Sequence, residues 1–112
     1  MSDSFREEIT ELHAEICSGL ADPTRILLLY ALAETPRNVN ELAEYLSMPQ
    51  STTSRHLKLL RQQSLVVGER EGLYIYYRLV DERIIEALDL LRKILNDRLT
   101  YRASLINGQR SS

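Results

Sequence analysis

The chain has 112 residues, 44% apolar and 27% charged, the balance of a soluble globular domain with one modest core and no room for a second. A formal net charge of −2 gives no overall basic bias toward nucleic acid, and no apolar run approaches the length of a membrane span. One cysteine excludes an internal disulfide framework, and the opening residues lack the basic-then-apolar order of a signal peptide, so a cytoplasmic protein without a membrane partner is expected.

Charge is nevertheless unevenly spread. Residues 1–22 hold Asp3, Glu7, Glu8, Glu11, Glu15 and Asp22 against Arg6, a net of −5, whereas residues 50–80 hold Arg55, Lys58, Arg61, Arg70 and Arg78 against Glu69 and Glu71, a net of +3. An acidic end and a basic centre give a one-sided field, and a basic face is what a phosphate backbone needs.

In chain order, Phe5, Ile9, Leu12, Ile16 and Leu20 step by three or four residues and predict an amphipathic helix over residues 4–20, capped by Ser2, Asp3 or Ser4 after a flexible start at residues 1–3. Asp22 and Pro23 open the next helix, as cap and first-turn proline. Ile26, Leu27, Leu29, Tyr30, Ala31, Leu32 and Ala33 leave it almost no polar face, which makes it the centre of the core, and Pro36 ends it.

Asn38 followed three residues later by Glu41 is a capping box, and Leu42, Ala43 and Leu46 lie on one face of the short helix it starts. That helix should end near Ser47, where Met48-Pro49 breaks the chain before a second helix begins at once. On the second helix Thr53, Leu57 and Leu60 form an inward stripe, and the same rotation of about 100° per residue turns Ser51, Arg55, Lys58 and Gln62 outward, flanked by Thr52 and Ser54. No acid lies on that outward face. Polar faces often mean only that a helix is solvated. Here, however, a short helix, a tight turn and an acid-free second helix occur together, which is the pattern of a helix-turn-helix. In such motifs the start of the second helix meets base edges and later side chains hold phosphates. The candidate DNA contacts are Gln50, Ser51, Thr52, Ser54, Arg55 and Lys58.

Leu65 and Val67, then Leu73, Ile75, Tyr77 and Leu79, alternate at period two around a charged, glycine-containing turn, which predicts a β-hairpin. Directly after a recognition helix such a hairpin is a wing. Arg70 near its tip joins the candidate DNA contacts, against the plainer reading of a solvated turn residue.

Asp81 or Glu82 opens a last helix running to about Tyr101, with Ile84, Leu88, Leu91 and Leu95 in near-heptad spacing and Ile85, Ala87, Ile94 and Leu99 widening the stripe. Such a stripe exceeds what one neighbour covers, so a homodimer is expected through the first and last helices, at Ile9, Leu12, Ile16, Leu88, Leu91 and Leu95. Residues 103–112 read as a flexible tail. The expected fold is mainly α with a small β-hairpin: a single-domain winged helix-turn-helix of order α-α-α-α-β-β-α.

Leu20-Ala21-Asp22-Pro23-Thr24-Arg25, Gln50-Ser51-Thr52-Thr53-Ser54-Arg55-His56-Leu57 and Tyr76-Tyr77-Arg78-Leu79 resemble the ArsR/SmtB family of bacterial and archaeal repressors over roughly residues 5–100. The resemblance implies a homodimeric winged helix that blocks a promoter, a double-stranded DNA operator, and usually lets go when an inducer, often a metal ion, binds. Two family metal sites are missing. Arsenic- and cadmium-type members carry a cysteine pair where this chain has Val39-Asn40-Glu41-Leu42-Ala43. Zinc-type members place Asp and His at the start of the last helix and His with His or Glu near its end. Asp81 is present here, but Arg83, Ile94 and Asp97 fill the other places, and Arg and Ile cannot bind zinc.

His13 and Cys17 remain, four apart on the expected first helix, a set that dimerisation would double for a soft metal. Packing is the preferred reading of Cys17, because a lone thiol behaves as a small hydrophobe and makes a weak motif. His56, at the border of the inward stripe, reads as a packing or hydrogen-bonding residue. No resident cofactor is expected. The leading expectation is a DNA-binding regulator that acts as a dimeric repressor, with a thiol- or soft-metal-responsive sensor through Cys17 as a variant of it. The alternative is a winged-helix protein-interaction module without DNA binding, which would not require acids to be absent from the outward face. Catalysis is not expected: the sequence supplies no nucleophile and base set and no glycine-rich phosphate loop.

Overall fold

The computed structural model describes residues 1–110, with side chains through residue 107. Its elements are α1 (Asp3–Glu15), a 3-10 turn (Cys17–Leu20), α2 (Pro23–Glu34), α3 (Val39–Tyr45), α4 (Gln50–Gln62), β1 (Val66–Glu71), β2 (Tyr74–Leu79) and α5 (Arg83–Arg110). Residues 1–81 form one compact unit and the chain from Glu82 onward a second.

Three helix starts are fixed by the side chains that the sequence supplies. The Ser2 hydroxyl accepts the Phe5 N–H at 3.2 Å and the Asp22 carboxylate accepts that of Thr24 at 2.7 Å. At α3 the capping box is closed in both directions, Glu41 N–H to Asn38 Oδ1 at 2.8 Å and Asn38 N–H to Glu41 Oε1 at 3.1 Å. Each such cap satisfies donors that the first turn would otherwise leave unpaired.

The turns after α3 and α4 are built alike. Ser47 and Ser64 adopt left-handed φ values of 53° and 56°. After α3, Ser47 N–H reaches Glu44 O at 3.1 Å and Met48 N–H reaches Ala43 O at 2.8 Å; after α4, Ser64 N–H reaches Arg61 O at 3.0 Å and Leu65 N–H reaches Leu60 O at 2.9 Å. Both are Schellman closures, in which the reversed residue lets the chain fold back on the last carbonyls. Ser47 thus stops α3, and Pro49 caps α4, its carbonyl taking the Thr53 N–H at 3.1 Å and the Thr53 hydroxyl at 3.0 Å.

The core of the first unit gathers Leu28, Leu29, Ala31 and Leu32 of α2, Leu42 and Ala43 of α3, Leu57 and Leu60 of α4, and Leu65, Val66, Tyr77 and Leu79 of the hairpin region. The expected stripe of α4 is fully inward, with Thr53 at 0%, Leu57 at 1% and Leu60 at 0% exposure.

Three expectations need correction. The first helix does not run to Leu20: it breaks at Ile16 (φ −123°, ψ −58°) into the 3-10 turn. Within that turn Gly19 packs where only a glycine fits, since a Cβ there would lie 3.0 Å from Leu65 Cδ1 and collide with Gln63 Oε1. The inward face of β1 is carried by Val66 and not by Leu65 and Val67: antiparallel register pairs Val66 with Leu79, Gly68 with Tyr77 and Arg70 with Ile75. Leu65 is buried too, but it precedes the strand. Last, α5 continues past Tyr101 to Arg110, because residues 102–107 contain no proline and Leu105 and Ile106 prolong the apolar pattern. Of the tail expected to be flexible, residues 111 and 112 lie outside the described residues.

Among the described residues no helix is long and apolar enough to cross a membrane. The 28 residues of α5 extend about 42 Å and leave Leu90, Leu91, Ile94, Leu95, Leu99 and Ile106 between 49% and 64% exposed.

Candidate nucleic-acid interface

Helix α4 presents to solvent what its sequence period predicts. Gln50, Ser51, Ser54, Arg55, Lys58 and Gln62 are exposed and Thr52 is half-buried. Arg55 and Lys58 engage no side-chain hydrogen bond or ion pair among the described residues, so both charges stand free. An open groove of about 450 Å³ runs beside this face, lined by Ser51, Ser54, Arg55, Lys58, Arg61 and Tyr77. It joins the recognition helix to the second strand of the wing. The starts of α3 and α4 and the wing tip border another open groove of about 330 Å³, where Asn38, Val39, Asn40 and Gln50 meet Leu73, Tyr74 and Ile75.

The wing sorts its two arginines by strand parity. Cross-strand partners share a face, so Arg70 and Ile75 lie on the side that carries Tyr77, while Arg78 lies on the opposite side with Glu69. There Arg78 is occupied, its Nη2 2.7 Å and its Nε 2.9 Å from Glu69 Oε1. Arg70 is exposed and without an ion pair among the described residues. Gly68 makes room for the Tyr77 ring, since a Cβ there would lie 2.8 Å from Ile75 Cγ2 and 3.2 Å from Tyr77 Cε1.

A polar cluster braces α3 from the other side. Tyr45 donates its hydroxyl to the Glu34 carboxylate at 2.6 Å, Arg37 Nη2 pairs with Glu34 at 3.2 Å, and the Arg37 guanidinium lies 4.0 Å from the centroid of the Tyr45 ring. The Glu34 hydrogen bond, then desolvation, raise the Tyr45 pKa above the ordinary phenol value. At the start of α2, burial pushes the Asp22 carboxyl up, but hydrogen bonds from the Thr24 and Arg25 backbone N–H groups and the Arg25 charge work against it, and its pKa lies below the ordinary carboxylate value.

His13 and Cys17, read from sequence as packing first and as a soft-metal set only as a variant, fall in different elements. Both His13 and Cys17 are exposed, but α1 ends at Glu15, so they no longer share a helical face, and the Cys17 thiol is not packed as its sequence setting suggests. Among the described residues no three His, Cys, Asp or Glu side chains come together as a metal-holding group. Of the expected dimer contacts, Ile9, Leu12, Leu91 and Leu95 are 43–57% exposed, Ile16 is half-buried and Leu88 is already buried.

Sequence reading passed over Arg61 and Tyr77 as parts of this surface. Arg61, three residues beyond Lys58, was within reach of the helical period. Tyr77 belongs to another element, and only the folded chain brings it to the groove.

A helix pair closed by a tight turn, a bare cationic second helix and a hairpin beside it define a winged helix-turn-helix of the DNA-binding type. The chain belongs to the arsR family of bacterial regulatory proteins, whose pattern residues 22–67 match. It is 40% identical over 77 residues to the transcriptional repressor SmtB of Mycobacterium tuberculosis, covering 69% of this chain and 57% of that protein. It is 34% identical over 92 residues to the nodulation protein NolR of Rhizobium meliloti, covering 82% and 75%. The match thus spans little more than half of the mycobacterial repressor. Among solved structures, a homodimeric winged helix-turn-helix DNA-binding domain from Mycobacterium bovis superposes with a TM-score of 0.75 at 28% identity, over 90% of this chain and 93% of that one.

Proposed function

We propose that this chain is a dimeric transcriptional repressor that binds a specific double-stranded DNA operator and is released by an inducer. The observation that carries the reading is the exposed, acid-free face of α4, whose Arg55 and Lys58 are free of internal partners and border a groove shared with the wing. Gln50, Ser51, Thr52 and Ser54 read base edges at the start of the helix. Arg55, Lys58 and Arg61 hold phosphates along it, and Arg70 reaches backbone or minor groove from the wing. The repressor name of the mycobacterial relative and the homodimeric domain from Mycobacterium bovis support the same reading. So does the exposed apolar stripe of α5, which a second copy would cover. A two-fold dimer would meet a palindromic operator with half-sites about 34 Å apart or a multiple of it.

Gel-shift titration on the DNA upstream of its own gene tests this. A sequence-specific complex is expected at nanomolar protein, lost as salt rises. No complex with either that DNA or a scrambled duplex, even at low salt, would instead favour the protein-interaction module.

For the inducer, the exposed Cys17 thiol favours a thiol or soft-metal response. The complex should then dissociate on adding a thiol oxidant or one of Zn, Cd, Cu(I) or As(III), and Cys17→Ser should abolish that release. Release that persists in Cys17→Ser would move the sensor to other residues.

A further inference from the structure

On the side of α4 turned away from its exposed face lies a polar cluster that no DNA contact uses. His56 is 8% exposed, and its Nδ1 stands 3.3 Å from Nη1 of Arg25 on α2. The same guanidinium donates from Nε to Gly19 O at 2.9 Å and from Nη2 to Ser18 O at 3.3 Å, both carbonyls of the 3-10 turn. At the far end of α4, Gln63 Nε2 donates to Ser18 Oγ at 2.5 Å. The 3-10 turn is thus tied to the middle of the recognition helix through Arg25 and to its C-terminal end through Gln63.

A guanidinium has only donors, so His56 Nδ1 must accept, and the ring proton resides on Nε2. The bond is therefore directional in a way that the apolar seat of α4 is not. Burial of Leu57 and Leu60 presses the helix onto the core, but it is only weakly sensitive to a small roll about the helix axis. A hydrogen bond weakens steeply as its angle departs from linear. Since His56 directly follows Arg55, any roll fixed at His56 is inherited by Arg55 and, one turn on, by Lys58.

We propose that Arg25 is a positioning residue for DNA binding, whose guanidinium joins the Ser18 and Gly19 carbonyls to His56 Nδ1 and so sets the roll of the recognition helix. This rests on the DNA-binding reading above. Lysine cannot replace it, because one ammonium on a flexible stem lacks the planar fork that meets acceptors on two elements at once. Asparagine can replace His56, because its amide oxygen sits close to where Nδ1 does and accepts in the same way.

The test uses the full chain and a duplex selected by the wild-type protein from a random pool, with a scrambled duplex beside it. Circular dichroism and thermal melting verify that each variant is folded. His56→Leu and Arg25→Lys should each bind the selected duplex at least about tenfold more weakly, the scale of one lost hydrogen bond to a charged group, with binding to the scrambled duplex unchanged. His56→Asn should stay within about threefold of wild type. A variant that merely loosened the fold would lose both duplexes together. Independently of DNA, 15N shifts of the His56 ring in the wild-type protein should report an unprotonated Nδ1 and a protonated Nε2. A protonated Nδ1, or wild-type affinity in folded His56→Leu or Arg25→Lys, would overturn the proposal. If His56→Leu does not fold, Arg25→Lys and the ring shifts decide. If the wild type selects no duplex, the DNA-binding reading fails by itself, and the ring shifts still decide whether the Arg25 bond exists.

Discussion

Arg37 and Tyr77 exchange both of their backbone hydrogen bonds, Arg37 N–H to Tyr77 O at 3.2 Å and Tyr77 N–H to Arg37 O at 2.8 Å. This antiparallel bridge attaches β2 of the wing to the residue just before the α3 cap, so the wing is fixed to the helix-turn-helix at main-chain level. The Tyr77 ring is then held over Gly68, where added bulk would meet it. Gly68→Ala should therefore destabilise the protein by about 1–3 kcal/mol, the usual cost of overpacking. Urea unfolding measures it, and a midpoint equal to that of the wild type would mean that the hairpin yields without cost.

The two left-handed serines give a prediction of opposite sign. Ser47 and Ser64 carry side chains at φ values that glycine adopts freely. Left-handed geometry costs an L-residue roughly 1–2 kcal/mol, and glycine loses part of that gain to its larger unfolded-state entropy. Ser47→Gly and Ser64→Gly should each stabilise the fold by about 0.5–1 kcal/mol in urea titrations. Lower stability in both would show that the serine side chains contribute more than their backbone strain costs.

Cations on the DNA face should separate from the one that is already paired. Arg55→Ala, Lys58→Ala and Arg70→Ala should each weaken DNA binding and reduce the log–log salt slope by about one unit. Arg78, held by Glu69 on the other face of the hairpin, should be nearly silent when changed to alanine. A loss at Arg78 as large as that at Arg70 would put the opposite face of the wing against DNA.

The α5 stripe predicts the assembly. Leu91 and Leu95 are 57% and 54% exposed in the single chain, more than an apolar stripe sustains in water without a partner. Sedimentation equilibrium should find dimers at micromolar concentration. Leu91→Lys or Leu95→Lys should dissociate them, since an unpaired charge in an apolar contact costs several kcal/mol. A wild-type chain that stays monomeric on concentration would leave the stripe without this explanation.

Acid sensitivity follows from Asp22. Its pKa is lowered from the ordinary 3.8 in the folded chain, so the folded state favours the carboxylate. The resulting stability is present above the unfolded value and is lost as pH falls through the folded one. Asp22→Ala should thus be less stable than wild type at neutral pH, with a gap in urea midpoint that narrows below about pH 4. A gap that widens with acid would reverse the assigned shift.

Much of this protein was legible in its residues because local chemistry decides helix starts and faces. Asn38 with Glu41, Asp22 before Pro23, and the spacing of Thr53, Leu57 and Leu60 act within a turn or two of chain, so sequence alone determined the caps of α2 and α3 and the outward face of α4. Tertiary structure decided what depends on residues far apart in sequence. The first helix stops at Ile16 and Gly19 then sits where a Cβ would meet Gln63 and Leu65, contacts that no periodicity within residues 4–20 records. His56 acquires its role from Arg25, 31 residues earlier. That Arg78 is paired with Glu69 while Arg70 lies on the opposite face follows from the hairpin register, a pairing between two strands.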